Sequence, residues 1–104
     1  MADHKNILSA DQITEAALTG WRQDGQSLIA RFATGDFATG LALVAGLGAA
    51  AEEVNHHPDV LLTYPEVTVT LSSHDVGGVT SRDVNLARTI TDLAAELGIA
   101  PAPA

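Results

Sequence analysis

The sequence contains no cysteine and few cations, and each shortage excludes a class of protein. Without cysteine there is no disulfide framework, no cysteine-ligated zinc site and no thiol nucleophile. Five Lys and Arg residues stand against thirteen Asp and Glu residues, which gives a net charge of −8. Because clustered cations bind phosphate backbones and anionic membrane surfaces, we expect neither a nucleic acid nor a membrane as a partner. A small neutral ligand suits this charge better.

Long apolar segments are also missing. No apolar run reaches the roughly 20 residues of a membrane span, and the N-terminal segment MADHKNILSADQ lacks the apolar region of a signal peptide. We therefore expect a cytoplasmic protein. A chain of 104 residues is the size of one domain, predicted to cover residues 1–104 with flexible ends at about 1–8 and 99–104.

Capping and turn signals divide the first half of the chain into elements. Ser9 followed three residues later by Gln12 predicts a capping box at the start of a first helix. Asp24-Gly25 predicts a β-hairpin closed by a type I′ turn. A long second helix follows, whose apolar spacing predicts one buried stripe formed by Phe37, Leu41, Val44, Gly48 and Ala51.

The second half predicts two more strands and a last helix. Val67, Val69 and Leu71 alternate with polar residues, as in a strand with one buried face. Thr80 and Asp83 have the spacing of a second capping box. The order is helix, two strands, helix, two strands, helix. Short connections favour antiparallel pairing, so we expect a two-layer α+β fold in which helices pack on one face of a four-stranded antiparallel sheet.

Residues that can carry chemistry are concentrated around VNHHPDV, residues 54–60. Pro58 favours an extended backbone at His57, which points the side chains of His56 and His57 to different sides. His74 follows the fourth strand, and Asp83 lies in the first turn of the last helix. Three imidazoles could therefore surround one cavity, where they could donate or accept protons near neutral pH.

Other interpretations of these residues are open at this point. A His-His-Pro turn is also typical of a solvated helix end, and Asp83 is fully explained as a capping carboxylate next to the helix dipole. Three neutral imidazoles with a water molecule could instead bind zinc. If the imidazoles act as acids and bases, Asp83, Glu52 or Asp75 could orient one of them.

Residues 52–87, EEVNHHPDVLLTYPEVTVTLSSHDVGGVTSRDVNLA, resemble the pterin-4a-carbinolamine dehydratase family. The family pattern combines an acidic residue, His-His-Pro, an aromatic residue, a second histidine site and an Asp, and it is matched here by Glu52, His56, His57, Pro58, Tyr64, His74 and Asp83. The resemblance extends from about Ser9 to Leu97. It implies an α+β fold of the order derived above.

The resemblance also implies an activity. In that family 4a-hydroxytetrahydrobiopterin, or a related pterin, loses water to give a quinonoid dihydropterin, and no metal or organic cofactor is needed. By resemblance, His56 and His74 donate protons to the departing hydroxyl, His57 positions the pterin or assists proton removal, and Asp83 orients His74. The implied substrate-binding residues are Glu52, Asn55, His56, His57, Ser72, Ser73, His74 and Asp75.

The resemblance leaves two properties to be tested. It suggests a homodimer or homotetramer, with the glycine-bearing long helix as a contact element. The alternative to an enzyme is a catalytically inactive relative that acts as an assembly, dimerisation or regulatory protein.

Overall fold

A computed structural model of the chain describes residues 5–101. In these residues, three helices are separated by two pairs of strands. In chain order the elements are α1 (Ala10–Glu15), β1 (Trp21–Asp24), β2 (Ser27–Ala33), α2 (Phe37–Val54), β3 (Asp59–Leu62), β4 (Glu66–Leu71) and α3 (Ser81–Glu96). The strands form one sheet in the order β1-β2-β4-β3, and every pairing is antiparallel. The predicted fold class and element order are confirmed.

The sheet buries one face against the helices because apolar residues alternate along its two central strands. Leu28, Ala30 and Phe32 of β2 lie opposite Leu71, Val69 and Val67 of β4, and all six are at most 3% exposed. The residues between them, which point to the other face, are polar or partly exposed. The helices complete this core through buried side chains of α2 and α3, including Leu43, Leu47, Leu86 and Ile90.

Both predicted capping boxes are present. The Ser9 hydroxyl accepts the Gln12 N–H while the Gln12 side chain accepts the Ser9 N–H. The start of α3 has the same reciprocal arrangement between Thr80 and Asp83. At the start of α2, the Asp36 carboxylate accepts the Thr39 N–H at 2.7 Å. Hydrogen bonding to the Thr39 side chain, and secondly to this N–H, lowers the pKa of Asp36.

The β1–β2 hairpin turns one residue later than predicted. Asp24 pairs with Ser27, so the two loop residues are Gly25 and Gln26. Gly25 has a φ of +59°, whereas Gln26 has no positive φ. Glycine alone at the first central position is typical of a type II′ turn, so the type I′ prediction is wrong.

The predicted buried stripe of α2 is wrong for Phe37 and Leu41, which are exposed, whereas Ala51 is buried and Val44 packs partly buried against the core. The buried residues are Gly40, Leu43, Leu47 and Ala51, while Phe37 and Leu41 are 47% and 53% exposed. Gly40 allows this face to approach the sheet, since a Cβ there would lie 2.7 Å from Cδ1 of Leu62. Leu, Val, Ala and Gly surround the whole helix, so apolar spacing alone did not define which side is buried.

By length and composition, α2 is the one helix within residues 5–101 that could cross a membrane. Of this helix, 22% is buried, and the buried part includes Leu43 and Leu47.

The chain ends contact the core where they are described. The Leu8 N–H donates to the Val79 carbonyl oxygen at 2.7 Å, Ile99 is buried, and Pro101 forms an isolated β-bridge with Phe32. The flexible ends predicted at about 1–8 and 99–104 fall partly on residues 1–4 and 102–104, which lie outside the described residues. Flexibility of the ends stays a prediction.

Candidate active site

The end of α2 directs His56 into the protein. Asn55 caps the helix in a left-handed conformation with a φ of 50°, which asparagine tolerates better than most residues. The His56 N–H then donates back to the Ala51 carbonyl oxygen at 3.1 Å. This turn places the His56 side chain against the start of α3, where it is 10% exposed. Asn55, predicted as a substrate-binding residue, is therefore also the residue that turns the chain.

The His56 imidazole forms a buried pair with Asp83. Its Nε2 lies 2.6 Å from Oδ1 of Asp83, whose side chain is completely buried. The other carboxylate oxygen, Oδ2, accepts the Ser73 hydroxyl at 2.8 Å and the Thr80 N–H at 2.9 Å. A carboxylate held by these donors offers only acceptor sites, so the hydrogen-bond network assigns the proton of the pair to Nε2 of His56. Nδ1 remains as the atom of His56 that can exchange a proton with a ligand.

The expectation that Asp83 orients His74 is wrong. Both oxygens of Asp83 are occupied by the contacts just described, and its imidazole partner is His56. The His74 side chain is exposed and forms no hydrogen bond within the described part of the chain. His74 nevertheless lies next to the network, because Ser73 precedes it and donates to Asp83.

His57 has a different carboxylate partner. Its Nε2 is in hydrogen-bond contact with Oε2 of Glu52, which lies in the last turn of α2. The side chains are 54% and 77% exposed, so the pair adds little to stability. It does orient the ring. Of the three carboxylates considered as orienting groups, Glu52 and Asp83 are paired with His57 and His56 respectively, and Asp75 is paired with Arg82. That these carboxylates orient an imidazole for catalysis stays a prediction.

The turn that carries His74 is anchored at several points. The Ser73 N–H donates to Gly78 at 2.9 Å, and the Ser72 hydroxyl donates to the Gln26 carbonyl oxygen at 2.9 Å. Asp75 accepts a 2.8 Å hydrogen bond from Arg82, which lowers the pKa of Asp75. The predicted binding roles of Ser72, Ser73 and Asp75 stay predictions, although the Ser73 side chain is fully buried against Asp83.

A cavity of about 330 Å³ opens between the end of α2 and the first half of α3. Among the three described histidines, His56 alone lines it, together with Ala50, Glu53, Val54, Arg82, Asn85, Leu86 and Thr89. Pockets of this size commonly hold small ligands. Glu53, Arg82, Asn85 and Thr89 were not identified from the sequence. The sequence did contain a signal for three of them. Arg82, Asn85 and Thr89 have the spacing of residues that lie on one side of a helix, so a shared surface on α3 could have been predicted.

The described residues contain no group of three or more His, Cys, Asp or Glu side chains arranged to hold a metal ion. His56 and His57 are instead each paired with a carboxylate. The arrangement is that of two oriented imidazoles, one buried and one exposed, with a third histidine on the adjoining turn. Such groups are suited to proton transfer.

Comparison with known proteins decides the family. The model of the pterin 4 alpha carbinolamine dehydratase family matches residues 6–93. The chain belongs to this family. A protein of Thermosynechococcus vestitus, provisionally named as a pterin-4-alpha-carbinolamine dehydratase, is 44% identical over 79 residues, which cover 76% of this chain and 83% of that protein. A Nocardia farcinica protein with the same provisional name is 40% identical over 85% of this chain and 95% of its own length.

Solved structures of the dehydratase fold agree with this assignment. A transcriptional coactivator/pterin dehydratase from Brucella melitensis superposes with a TM-score of 0.82 at 33% identity, covering 86% of this chain and 99% of that one. A pterin dehydratase-like protein identified as a RuBisCO assembly factor of the α-carboxysome has a TM-score of 0.59 at 22% identity, covering 90% and 96% of the two chains. The second likeness shows the shared fold alone.

Proposed function

We propose that this protein dehydrates a 4a-hydroxytetrahydropterin, such as 4a-hydroxytetrahydrobiopterin, to the quinonoid dihydropterin. The observation that carries the proposal is the buried His56–Asp83 pair at the wall of a small-molecule cavity, in a chain of the pterin-4a-carbinolamine dehydratase family. The expected setting is tetrahydropterin recycling in the cytoplasm, by a homodimer or homotetramer.

The reaction breaks the C4a–oxygen bond and forms a C4a–N5 double bond. One proton must reach the departing hydroxyl, which leaves as water, and the N5 proton must be removed. The two proton transfers balance, so no net acid or base is consumed. General acid and base groups within hydrogen-bond reach can supply both.

His56 is the proposed acid. When protonated, it keeps Nε2–H on the Asp83 carboxylate and presents Nδ1–H to the 4a-hydroxyl. Asp83 stabilises the resulting imidazolium and fixes the ring, as a buried carboxylate does for a catalytic histidine in other enzymes. Ser73 and Thr80 in turn hold Asp83, through the 2.8 Å and 2.9 Å hydrogen bonds to its second oxygen.

His57 and His74 have the remaining proposed roles. His57, held by Glu52, positions the pterin or accepts the N5 proton. His74 approaches from the turn that Ser73 anchors to Asp83, and supports protonation of the hydroxyl. Neither role uses a metal or an organic cofactor.

A second candidate is a non-catalytic assembly or regulatory protein on the same fold. The observation that favours it is a set of exposed apolar side chains, Phe37, Leu41, Leu61 and Tyr64, each at least 47% exposed. Such side chains are common in surfaces that contact other proteins.

Stopped-flow absorbance of 4a-hydroxytetrahydropterin decay separates the two candidates. The substrate is generated in the instrument and mixed with purified protein without added metal. Faster decay with the wild type than with buffer supports the dehydratase. Decay at the buffer rate, with a protein whose circular dichroism shows the native fold, would reject catalysis and favour the assembly protein.

A further inference from the structure

The turn that carries His74 is closed by a short pairing of its own backbone. Ser73 and Gly78 form an isolated antiparallel β-bridge, in which the Ser73 N–H donates to the Gly78 carbonyl oxygen at 2.9 Å. The Ser73 side chain is anchored at the same time, because its hydroxyl donates to the buried Asp83 carboxylate at 2.8 Å. The position of Gly78 therefore affects where Ser73 and the following His74 lie.

The N-terminal segment lies against the end of this turn. The Leu8 N–H donates to the Val79 carbonyl oxygen at 2.7 Å, and the Leu8 side chain packs partly buried against the core. Ile7 precedes Leu8 and places its side chain on Gly78. Ile7 and Leu8 together form what we call the N-terminal strap. Leu8 attaches the strap to the core, and Ile7 contacts the turn.

Gly78 is required for a steric reason. Its φ is not positive, unlike that of the preceding Gly77, so its backbone conformation does not call for glycine. A Cβ at Gly78 would lie 2.8 Å from Cγ2 and 3.2 Å from Cγ1 of Ile7, and the three nearest atoms all belong to Ile7. Because Ile7 is branched at Cβ, its side chain has little freedom to move aside. The strap and the turn therefore fit together only while position 78 has no side chain.

The Ile7 side chain contributes little to the hydrophobic core, since it is 56% exposed. Its truncation would remove the contact with Gly78 and leave the Leu8 hydrogen bond and packing in place. Substitutions of exposed side chains usually have small effects on stability. A change at Ile7 can therefore loosen the turn while the chain stays folded.

We propose that Ile7 is a positioning residue for the reaction, which fixes the turn carrying His74 by packing on Gly78. Ile7 does not line the cavity beside His56, so it acts through the pairing of Ser73 with Gly78. The proposal rests on the proposed function, because positioning changes the rate only if His74 takes part in dehydration.

The test exchanges side-chain size between the two positions. Ile7→Ala, Gly78→Ala and the double variant are compared with the wild type in stopped-flow dehydration, which gives kcat and KM. Leu97→Ala is the matched control, because Leu97 is an aliphatic residue of 46% exposure at the far end of α3 from the turn. Circular dichroism establishes that each variant is folded.

A second measurement reports on the turn without turnover. The Ser73 amide donates to Gly78, so its hydrogen exchange, followed by NMR, becomes faster when this pairing loosens. The Ile90 amide, in the middle of α3, is the reference for opening of the whole chain.

Gly78→Ala should lower kcat by about tenfold, because a misplacement of about 1 Å caused away from the chemistry costs up to about 10² in rate. Its Ser73 amide should exchange about tenfold faster relative to the Ile90 amide. Ile7→Ala should lower kcat by about threefold, with KM changed by less than about twofold. The double variant should recover about half of the wild-type kcat, since the two positions are in direct contact. Leu97→Ala should behave as the wild type.

Two results would overturn the inference. The first is Gly78→Ala with the kcat and the Ser73 exchange rate of the wild type. The second is a double variant no more active than Gly78→Ala, because the fit between the two side chains would then have no effect. Wild-type protein that leaves the substrate decaying at the buffer rate refutes the proposed function instead. The exchange rates then still show whether Ile7 holds the turn.

Discussion

Replacing Asp83 by asparagine should reverse the proton position on His56 while the fold is kept. The two carboxylate oxygens meet three donors at 2.6, 2.8 and 2.9 Å. Asparagine has the same shape but only one oxygen. If that oxygen keeps the two donors from Ser73 and Thr80, the new NH₂ group faces Nε2 of His56, which can then only accept. The neutral imidazole must then carry its proton on Nδ1.

The magnitude follows from these contacts. A hydrogen bond to a charged group contributes roughly 1.5–3 kcal/mol and a neutral one about half as much. Weakening three bonds in a fully buried position should therefore lower the free energy of unfolding by about 2–3 kcal/mol. With a urea m-value of about 1–1.5 kcal/mol/M, the midpoint should fall by about 2 M. Removal of general acid catalysis should lower the dehydration rate by about 10²–10⁴.

Three measurements test this prediction together. Urea unfolding gives the stability, stopped flow gives the rate, and two-dimensional ¹H–¹⁵N spectra of the neutral ring give the His56 tautomer. Asp92→Asn is the control, because Asp92 is an exposed residue of the same helix. Retention of the Nε2–H tautomer in Asp83→Asn, or an unchanged dehydration rate, would refute the reasoning.

Three further predictions concern stability, each measured by urea unfolding. His56→Ala should lower the free energy of unfolding by about 3 kcal/mol or more, because it leaves a buried carboxylate unpaired. His57→Ala should change it by no more than about 0.5 kcal/mol, because its ion pair is exposed. Equal losses for the two variants would contradict the assigned burial. The hydrogen bond from Arg82 lowers the pKa of Asp75 in the folded protein below its ordinary 3.8. The Asp75–Arg82 contact therefore adds to folding stability above pH 3.8, and this stabilisation is lost as the pH falls through the folded-state pKa. Asp75→Asn should therefore be less stable than the wild type at pH 7, and the difference should shrink as the pH falls below 3.8; a gap that does not shrink in acid would contradict this. Gly48→Ala should stabilise the chain by about 0.5–1 kcal/mol, since nothing lies within 4 Å of the added Cβ, and a loss of stability would indicate that a second copy packs there.

Elements with strong local signals could be predicted from the sequence. The capping boxes at Ser9 and Thr80 and the alternation along β4 are local patterns, and each is present in the structure. The turn after β1 was predicted one residue too early. Asp24-Gly25 and Gly25-Gln26 are both acceptable loops, because each places glycine at a position where positive φ is favourable. Pairing register, which is set across the sheet, decides between them.

The sequence identified residues of the candidate site but not which histidine contacts Asp83. His56, His57 and Asp83 were identified from residue type and family resemblance. Which imidazole meets Asp83 depends on the left-handed turn at Asn55, which returns His56 to the start of α3. The cavity residues Glu53 and Asn85 belong to two helices whose contact is a tertiary property, so the sequence did not associate them.

The oligomeric state and the cytoplasmic location stay predictions. A light-scattering mass equal to one chain would exclude the proposed dimer or tetramer. If a larger assembly forms, the exposed apolar side chains of α2, Phe37 and Leu41, are available for its interface.

The most direct test of the central claim compares wild type, His56→Ala and His57→Ala in the decay of 4a-hydroxytetrahydropterin, followed by stopped-flow absorbance at neutral pH without added metal. The account predicts rapid dehydration by the wild type and a loss of about 10²–10⁴ in rate for His56→Ala, at protein concentrations where circular dichroism shows each variant folded. Dehydration by His56→Ala at the wild-type rate would contradict the assignment of His56 as the acid. Decay at the buffer rate with folded wild type would contradict the proposed enzyme itself.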